Sequence, residues 1–373
     1  MPDVLDWQTI ANPRTAVDRA VRALAKGGLV ALPTETVYGI AASALVPEAV
    51  ERLSRCKARA DDKPFTLAIG GADEALDWVP GMGTLGRRLA RRCWPGPVTL
   101  VCAGGVDGGL AGRLSDGVRQ RVCPLGTLGL RTPAHEAILQ VLRALPGPLV
   151  LTSANRGGEA EATTAEAVVE AVGDHLDLVI DDGPSRYGKA STVVQVNGES
   201  WQVLREGVVP AATLERLSAC VMVFVCTGNT CRSPLAEALC KKLLAQRLGC
   251  TVEELPRCGF VVLSAGLAAM MGASAAPEAV EAARELEADV GGHRSQPLTA
   301  PLAAQADHLV AMTRSHLLAL AAQYPDLGNR ARLLGGGGDD VPDPIGCDQQ
   351  IYRECAQQIL HHLEKFLPEI HPL

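Results

Sequence analysis

Short apolar runs of strand length alternate with helical patterns along the first half of the chain. Such runs cover residues 28–33, 65–69, 98–102, 149–151, 176–180 and 192–196, with glycine, proline or polar residues beside them. Between two of them, residues 47–59 carry Val50, Leu53 and Ser54 at helical spacing. This alternation, with frequent glycine and proline punctuation, predicts a mixed α/β domain.

The second half shows a simpler order of strands and helices. The pattern predicts strands at 221–225, 261–264 and 307–312, and helices at 234–248, 276–288 and 349–366. Strands that alternate with helices favour a parallel sheet with right-handed crossovers. A boundary falls near residues 208–219, where Pro210 precedes a short helical run. We therefore expect two domains, residues 1–212 and residues 219–373.

Composition favours a soluble cytoplasmic protein. A chain of 373 residues exceeds one ordinary domain of roughly 150 residues. The net charge of −7 gives no whole-protein reason to expect nucleic-acid or membrane binding. No apolar run approaches the roughly 18 residues of a membrane span, and the first residues lack the pattern of a signal peptide. The 12 cysteines show no metal-ligand spacing, so we expect free thiols in a reducing compartment.

The residues that follow the strand at 221–225 carry the strongest chemical signal. Cys226 is followed by Thr-Gly-Asn-Thr-Cys-Arg-Ser-Pro, so Arg232 lies six positions after it. In such a loop backbone N–H groups can turn inward, and the start of the next helix adds its positive dipole end. That field favours a thiolate nucleophile beside a bound phosphate. The planar guanidinium group of Arg232 can donate hydrogen bonds to two phosphoryl oxygens. Ser233 can hydrogen-bond the cysteine sulfur when it acts as the leaving group in the second step.

A proline-stiffened loop late in the chain contains the candidate proton donor. Thiolate displacement needs a group that protonates the leaving atom. Asp343 lies between Pro342 and Pro344, and the tract at 335–338 before it is all glycine. An aspartate beside proline is also common in an ordinary turn, so neighbouring aspartates remain alternatives from the residues alone.

These motifs resemble the low-molecular-weight protein phosphatase family over residues 221–373. Besides the cysteine loop, the resemblance rests on Ser-Ala-Gly at 264–266, His-Arg-Ser at 293–295 and Asp-Pro at 343–344. It implies a parallel-sheet α/β domain without a cofactor, with Cys226 as nucleophile, Arg232 as phosphate ligand and Asp343 as general acid, then base. It also implies loop and supporting roles for a further set of residues: Thr227, Gly228, Asn229, Thr230, Cys231, Ser233 and His293. Cys231 would form a protective, reversible disulfide with Cys226.

Two positions bear on the phosphoprotein substrate. Thr227 is the residue seen after the nucleophile in family members that act on phosphoarginine, whereas an apolar residue is typical of the phosphotyrosine enzymes. Ile345 stands where an aromatic side chain commonly flanks the substrate, which weakens stacking on phosphotyrosine. Both substrates stay open, and Thr227 favours phosphoarginine.

Several segments of the first half place polar or charged side chains at strand ends and turns. The candidates are Thr34, Thr36, Lys57, Arg59, Arg131, Ser153, Asn155, Ser191 and Arg205. Singly, each is weak evidence, because basic clusters usually lie on solvated surfaces and Ser-Ala-Asn commonly caps a helix. In this order, however, they resemble the YrdC-like family of threonylcarbamoyl-AMP synthases over residues 15–209.

This second resemblance implies a mixed α/β domain with a twisted, concave sheet over a basic cavity. There L-threonine and bicarbonate form a carbamate that attacks ATP, which releases pyrophosphate and gives threonylcarbamoyl-AMP for the modification of adenosine in tRNA. Lys57, Arg59 and Arg205 would neutralise the triphosphate, with Mg²⁺ assisting. Ser153 and Asn155 would bind nucleotide or carbamate oxygens. Thr34, Thr36 and Arg131 would hold the amino acid, and Ser191 belongs to the same set.

The chain departs from the family pattern beside two of these residues. Ala60 stands where proline usually follows Lys-x-Arg, and Glu206 replaces the proline after Arg205. Glu206 matters more, because it places a negative charge next to a proposed phosphate ligand.

Two interpretations other than two active enzymes also stay open. Either the first half is an RNA- or nucleotide-binding module without synthesis, or the second half only binds phosphorylated residues. Direct tRNA binding is also open.

Overall fold

The chain folds into two compact units, Met1–Leu217 and Ser218–Leu373. A computed structural model describes residues 1–57 and 64–370. Helix Ala211–Ser218 ends the first unit, and its Leu214 is fully buried in that unit's core. None of the described helices combines the length and apolar character that a membrane crossing requires.

In the described part of the first unit, ten strands form one mixed sheet. The strands are β1 Asp3–Asp6, β2 Val30–Leu32, β3 Gly39–Ser43, β4 Thr66–Ala68, β5 Val98–Ala103, β6 Thr127–Arg131, β7 Leu149–Ser153, β8 Leu178–Asp181, β9 Thr192–Asn197 and β10 Ser200–Arg205. Their spatial order is β1-β8-β2-β3-β7-β4-β6-β5-β9-β10. The sheet contains parallel pairs such as β5 with β9 and antiparallel pairs such as β3 with β7. The predicted mixed α/β domain is confirmed.

Helices cover both faces of this sheet. They are α1 Pro13–Ala25, α2 Pro47–Cys56, α3 Ala75–Trp78, α4 Thr84–Cys93, α5 Asp116–Val122, α6 Glu136–Ala144, α7 Ala165–Val172 and α8 Ala211–Ser218. Successive side chains of a strand point to opposite faces. Ala31 accordingly joins one apolar cluster with Leu53 and Leu89, while Leu32 joins another with Leu24 and Ile138. The predicted helix 47–59 ends at Cys56, with Lys57 as its cap.

The second unit contains a parallel sheet, as the alternation of strands and helices predicted. Its described strands are β11 Cys220–Cys226, β12 Phe260–Gly266, β13 His308–Ala311 and β14 Ala331–Leu333, in the order β12-β11-β13-β14. The helices are α9 Arg232–Leu248, α10 Pro277–Glu285, α11 Ala300–Gln305, α12 Arg314–Gln323 and α13 Gln349–Ile370. All seven residues of β11 are buried, because helices cover both faces of this central strand.

The register of the parallel strands determines which loops meet. Val225 of β11 pairs with Ala265 of β12 on one side and with Ala311 of β13 on the other. The loops after these three strands therefore leave the same edge of the sheet. Ligands of open α/β sheets bind at this carboxyl edge.

Candidate active sites

The cysteine loop connects the end of β11 to the start of α9. Asn229 has a φ of 55°, a left-handed conformation that asparagine tolerates better than most residues. The end of β12 approaches the loop closely at Gly266, where a Cβ atom would lie 2.5 Å from the Thr227 carbonyl oxygen. A side chain at this position would therefore push the loop away, which explains the glycine of the Ser-Ala-Gly motif.

The sulfur of Cys226 lies inside this loop among hydrogen-bonding groups. Its Sγ is 3.0 Å from Ser233 Oγ, and the Asn229 backbone N–H donates to it at 3.2 Å. The residue is 3% exposed and ends β11, six positions before Arg232, the first residue of α9. The sulfur therefore lies between a hydroxyl group and a backbone N–H group in the loop that leads into α9.

Asn229 connects the loop to two other segments. Its Nδ2 donates to Ser233 Oγ and to Ser264 Oγ, each at 2.9 Å. Its Oδ1 accepts from the Gln296 backbone N–H at 2.9 Å, and its carbonyl oxygen lies 2.7 Å from His293 Nε2. The side chain is completely buried, so its polar atoms need these partners. Asn229 and His293 thus maintain the shape of the loop.

Arg232 extends from α9 to the late aspartate loop. Its Nη2 donates to Asp343 Oδ2 at 2.5 Å, and its Nη1 donates to the Val341 carbonyl oxygen at 3.2 Å. The Arg232 side chain is 6% exposed, whereas that of Asp343 is 43% exposed. The structure therefore brings Cys226, Arg232 and Asp343 into one site, with Asp343 at its mouth. Asp340 instead accepts from the Arg314 backbone N–H at 2.8 Å.

Two side-chain contacts of the cysteine loop could not be predicted from the residues near it in the sequence. Thr227 Oγ1 lies 2.9 Å from Nε2 of His316 on α12. Cys231 Sγ lies 3.3 Å from the hydroxyl of Tyr352 on α13, and burial raises the pKa of that hydroxyl. Sequence reasoning missed both partners because each contact joins residues far apart in the chain. Cys226 and Cys231 are both free thiols.

The first unit contains a cavity of about 650 Å³ on one face of its sheet. Its lining includes six of the predicted residues: Thr34, Thr36, Arg131, Ser153, Ser191 and Arg205. Further lining hydroxyls and amides come from Thr66, Thr99, Thr127, Thr152 and Gln195. A cavity of this size with convergent polar groups is typical of a small-molecule site.

Arg131 forms the most buried charged contact at this cavity. Its Nη2 donates to Glu35 Oε1 at 2.8 Å and to Thr36 Oγ1 at 2.9 Å. Thr36 Oγ1 lies 2.8 Å from Thr34 Oγ1. The other oxygen of Glu35 accepts from the Ala134 backbone N–H at 2.8 Å. Arg131, Thr34 and Thr36 therefore form one network at the end of β2 and β6.

Lys57 holds the end of β7. Its Nζ donates to the Ser153 carbonyl oxygen at 2.9 Å and to Asn155 Oδ1 at 2.8 Å, and it also contacts the Asn155 carbonyl oxygen. Asn155 Oδ1 in turn accepts from Ser153 Oγ at 2.6 Å. Ser153 belongs to the cavity lining, and both Lys57 and Asn155 are hydrogen-bonded to Ser153. Arg59 lies outside the described residues.

Arg205 at the end of β10 contacts Ser191, which directly precedes β9. Arg205 Nη2 donates to the carbonyl oxygen of Ser191 at 2.9 Å and to its Oγ at 3.3 Å. Ser191 Oγ lies 2.9 Å from Thr99 Oγ. Arg205 and Arg131 thus place two cationic groups in the lining of the same cavity.

Family models match both parts of the chain. A model named Sua5_yciO_yrdC, with the description "Telomere recombination", matches residues 22–207. A model described as "Low molecular weight phosphotyrosine protein phosphatase" matches residues 221–372. Together the two matches account for nearly all of the described chain.

Named relatives of the first part are threonylcarbamoyl-AMP synthases. The synthase of Chromohalobacter salexigens is 34% identical over 174 residues, which are 47% of this chain and 89% of the relative. The synthase of Pyrococcus abyssi is 34% identical over 194 residues, which are 52% of this chain and 54% of the relative. The chain thus spans about half the length of the latter protein.

Solved structures give the same division. P. abyssi Sua5 complexed with L-threonine has 25% identity and a TM-score of 0.51, with coverage of 71% of this chain and 92% of that one. A low molecular weight protein tyrosine phosphatase from T. tengcongensis has 32% identity, covering 40% of this chain and 99% of that one, with a TM-score of 0.37. YwlE arginine phosphatase from Geobacillus stearothermophilus has 29% identity and a TM-score of 0.36, and the match covers 40% of this chain and 92% of that one.

Both sequence resemblances are confirmed by the family models and by these relatives. The chain belongs to the Sua5/YciO/YrdC family through its N-terminal part and to the low-molecular-weight phosphotyrosine protein phosphatase family through its C-terminal part.

Proposed function

We propose that the N-terminal unit forms threonylcarbamoyl-AMP from L-threonine, bicarbonate and ATP, for the modification of adenosine in tRNA. The observation that carries this proposal is the cavity of about 650 Å³, in which Arg131 and Arg205 face a set of hydroxyl groups. Two arginines suit a reaction whose substrates and product carry carboxylate, carbamate and phosphate groups. The names of the relatives and the L-threonine in the Sua5 structure support the same reaction.

The residue roles follow from the contacts. Arg131 with Thr34 and Thr36 would hold the amino acid, since the three already share one hydrogen-bond network. Arg205 with Ser191 would bind phosphate oxygens in the same cavity. Ser153 would bind nucleotide or carbamate oxygens.

A positioning role for Lys57 is compatible with the direct contact to the triphosphate that the family resemblance implies. Its ammonium group is bound to the end of β7, so we propose that it positions Ser153 and Asn155. A direct contact between Lys57 and the triphosphate, and one between Arg59 and the triphosphate, stay predictions from the family resemblance.

The described residues do not offer a dedicated site for Mg²⁺. Glu161 is the one carboxylate in the described cavity lining, and no group of three or more potential ligand side chains occurs in residues 1–57 and 64–370. Magnesium binds carboxylates and substrate phosphates together. A magnesium ion would therefore enter with the triphosphate, and we assign it no step.

Pyrophosphate release from ATP tests synthesis. The full chain should release pyrophosphate only when both L-threonine and bicarbonate are present, and Arg131→Gln should raise the KM for threonine. If the chain binds ATP or RNA but releases no pyrophosphate under any combination, the unit is a nucleotide- or RNA-binding module. Mass spectrometry of the product identifies threonylcarbamoyl-AMP directly.

We propose further that the C-terminal unit is a cysteine-dependent protein phosphatase. The thiolate of Cys226 attacks phosphorus, the bond to the leaving nitrogen or oxygen breaks, and Asp343 protonates the leaving atom. Arg232 balances the charge on the transferred group. Water then attacks the cysteinyl phosphate with Asp343 as base, which releases inorganic phosphate and restores the thiolate. The carrying observation is the placement of Cys226, Ser233, Arg232 and Asp343 around one loop.

The favoured substrate is protein phosphoarginine. The Thr227 hydroxyl can accept a hydrogen bond from a guanidinium N–H, which a phosphotyrosine ester lacks. Ile345, next to the Asp343-Pro344 turn, is 68% exposed and offers no aromatic ring for stacking on phosphotyrosine. Cys231 would protect Cys226 as a reversible disulfide, after release from Tyr352.

Two measurements test this half. With a generic aryl phosphate, the native chain should release a burst of the leaving group and then turn over steadily. Cys226→Ser should abolish both the burst and the turnover. If the native chain binds phosphorylated residues without turnover, the unit is a phospho-residue-binding module. Phosphoarginine and phosphotyrosine peptides should be compared in the native chain and in Thr227→Ile. The native chain should prefer phosphoarginine, and Thr227→Ile should reverse that preference.

A further inference from the structure

Glu161 lies in the segment that leads from the end of β7 to α7, and it belongs to the lining of the cavity in the first unit. Hydrogen bonds hold the backbone of this segment on both sides of Glu161. The Asn155 side chain donates from Nδ2 to the Glu159 carbonyl oxygen at 2.7 Å, and the Tyr38 backbone N–H donates to the Ala162 carbonyl oxygen at 2.9 Å. Tyr38 also lines the cavity, so Glu161 has a fixed backbone position at its wall.

The carboxylate of Glu161 is partly buried but has no partner within the described chain. In residues 1–57 and 64–370 it forms no hydrogen bond and no ion pair. Glu35, which approaches the same cavity through Arg131, is instead fully used. Its two oxygens accept from Arg131 Nη2 and from the Ala134 backbone N–H. A carboxylate that loses water contacts without gaining a donor is costly, which indicates a ligand that supplies the donor to Glu161.

The charges around Glu161 indicate what kind of ligand this is. Three charged side chains stand in the described lining of the cavity: Arg131, Glu161 and Arg205. Arg131 is ion-paired with Glu35 at 2.8 Å. Burial lowers the pKa of Arg205, while the charge of Glu161 raises it and that of Arg131 lowers it further. Glu161 is therefore near enough to influence Arg205, yet it forms no ion pair with that side chain. The cavity thus presents cationic groups to anions and an anionic group to a cation.

The substrates of the proposed synthesis differ in the charge that they bring to Glu161. Bicarbonate and the triphosphate are anions, whereas L-threonine carries an ammonium group with three N–H donors. We propose that Glu161 binds this ammonium group, while Arg131 with Thr34 and Thr36 holds the rest of the amino acid. The inference rests on the synthesis proposed above. Carbamate formation leaves one N–H group on the nitrogen, so the contact with Glu161 can persist until the product forms.

The test measures pyrophosphate release by the full chain with Glu161→Gln and with Glu161→Asp. L-Threonine and ATP are varied in turn while the other substrates are saturating. Glu161→Gln removes the charge at nearly unchanged size and should raise the KM for L-threonine about 10- to 100-fold, the effect of one hydrogen bond between charged groups. The KM for ATP should stay near the native value. Glu161→Asp keeps the charge on a shorter side chain and should raise the KM for L-threonine less.

A threonine analogue gives a second readout. The compound 2,3-dihydroxybutanoate carries a hydroxyl group in place of the ammonium group but keeps the carboxylate and the side-chain hydroxyl. In equilibrium binding, the native chain should bind it about 10- to 100-fold more weakly than L-threonine. Glu161→Gln should bind the two compounds almost equally. Glu170→Gln is the matched control, because Glu170 is an exposed glutamate on α7, and this variant should behave as the native chain.

Failure of this inference and failure of the synthesis give different results. An unchanged KM for L-threonine in Glu161→Gln, or an equal rise in the KM for ATP, would overturn the role of Glu161 while synthesis stands. A native chain that releases no pyrophosphate in the presence of all three substrates would overturn the synthesis and this inference with it. If a Glu161 variant fails to fold, the analogue decides: equal binding of both compounds by the native chain overturns the ammonium contact.

Discussion

Arg232 and Asp343, the residues proposed to bind phosphate and to donate the proton, are hydrogen-bonded to each other at 2.5 Å. A substrate phosphoryl group needs the same guanidinium fork. Binding of the dianion must therefore displace Asp343 from Arg232, which leaves the carboxyl group free to approach the leaving atom. Substrate binding would thus prepare the general acid for its task.

Asp343→Asn should separate proton donation by Asp343 from its competition with phosphate for Arg232. We expect kcat for a phosphopeptide to fall about 10²- to 10⁴-fold, the usual effect of losing a general acid. Inorganic phosphate should at the same time inhibit more strongly, because the neutral amide competes less for Arg232. Steady-state kinetics with phosphate as competitive inhibitor measures both. Asp339→Asn is the control and should leave both values near those of the native chain; weaker inhibition by phosphate in Asp343→Asn would contradict the competition.

Ser233 should matter mainly in the second half of the phosphatase reaction. Its Oγ lies 3.0 Å from Cys226 Sγ and can stabilise the thiolate as it leaves the cysteinyl phosphate. A hydrogen bond to a charged group contributes about 1.5–3 kcal/mol, so Ser233→Ala should slow steady turnover roughly 10- to 100-fold. Stopped-flow measurement with an aryl phosphate should still show a burst. Loss of the burst at unchanged protein stability would place Ser233 in the first step instead.

The cysteine loop was predictable because its chemistry is local. Cys226 and Ser233 are seven positions apart, and the strand and helix that hold them show clear patterns. The partners that complete the site are distant: Arg232 meets Asp343 across 111 positions, and Thr227 meets His316 across 89. The aspartate could be identified only through the family motif. Nothing near His316 indicates its contact, since strand register decides which loops adjoin.

The first unit shows the same limit at Lys57. The family resemblance implies that Lys57 contacts the triphosphate, and this stays a prediction. The contact of its ammonium group with Asn155, 98 positions away, had no signal in the local sequence. Strand β3, Gly39–Ser43, also escaped the sequence analysis. All five of its residues are buried, so it lacks the alternation of polar and apolar positions that marks a half-exposed strand.

Lys57→Met distinguishes support of β7 from binding of the triphosphate. If Lys57 supports the strand end, the change removes the ammonium donor from a cluster of buried carbonyl and amide oxygens and should lower the free energy of unfolding by about 2–4 kcal/mol. Urea unfolding followed by tryptophan fluorescence measures this in the first unit, because all 4 tryptophans precede Cys226. Lys26→Met, at an exposed lysine, serves as the control. A higher KM for ATP with unchanged stability would favour direct contact with the triphosphate.

Cys102 should make the first unit sensitive to alkaline pH. Burial raises the pKa of this thiol in β5 from 9.0 to about 12. Since the folded state holds the proton more tightly, its contribution to stability is complete below pH 9 and is lost as pH rises from about 9 towards 12. Each such thiol can lower the free energy of unfolding by up to roughly 1.4 kcal/mol per pH unit in that range.

Cys102→Val should make the decline of unfolding free energy between pH 9 and 11 less steep. Part of the decline should remain, because burial also raises the pKa of Cys93 to about 12. Urea unfolding at several pH values, followed by tryptophan fluorescence, gives the slope for each variant. Cys347→Val, at an exposed thiol of the C-terminal unit, should leave the slope unchanged. Equal slopes for Cys102→Val and the native chain would show that Cys102 does not resist ionisation through burial.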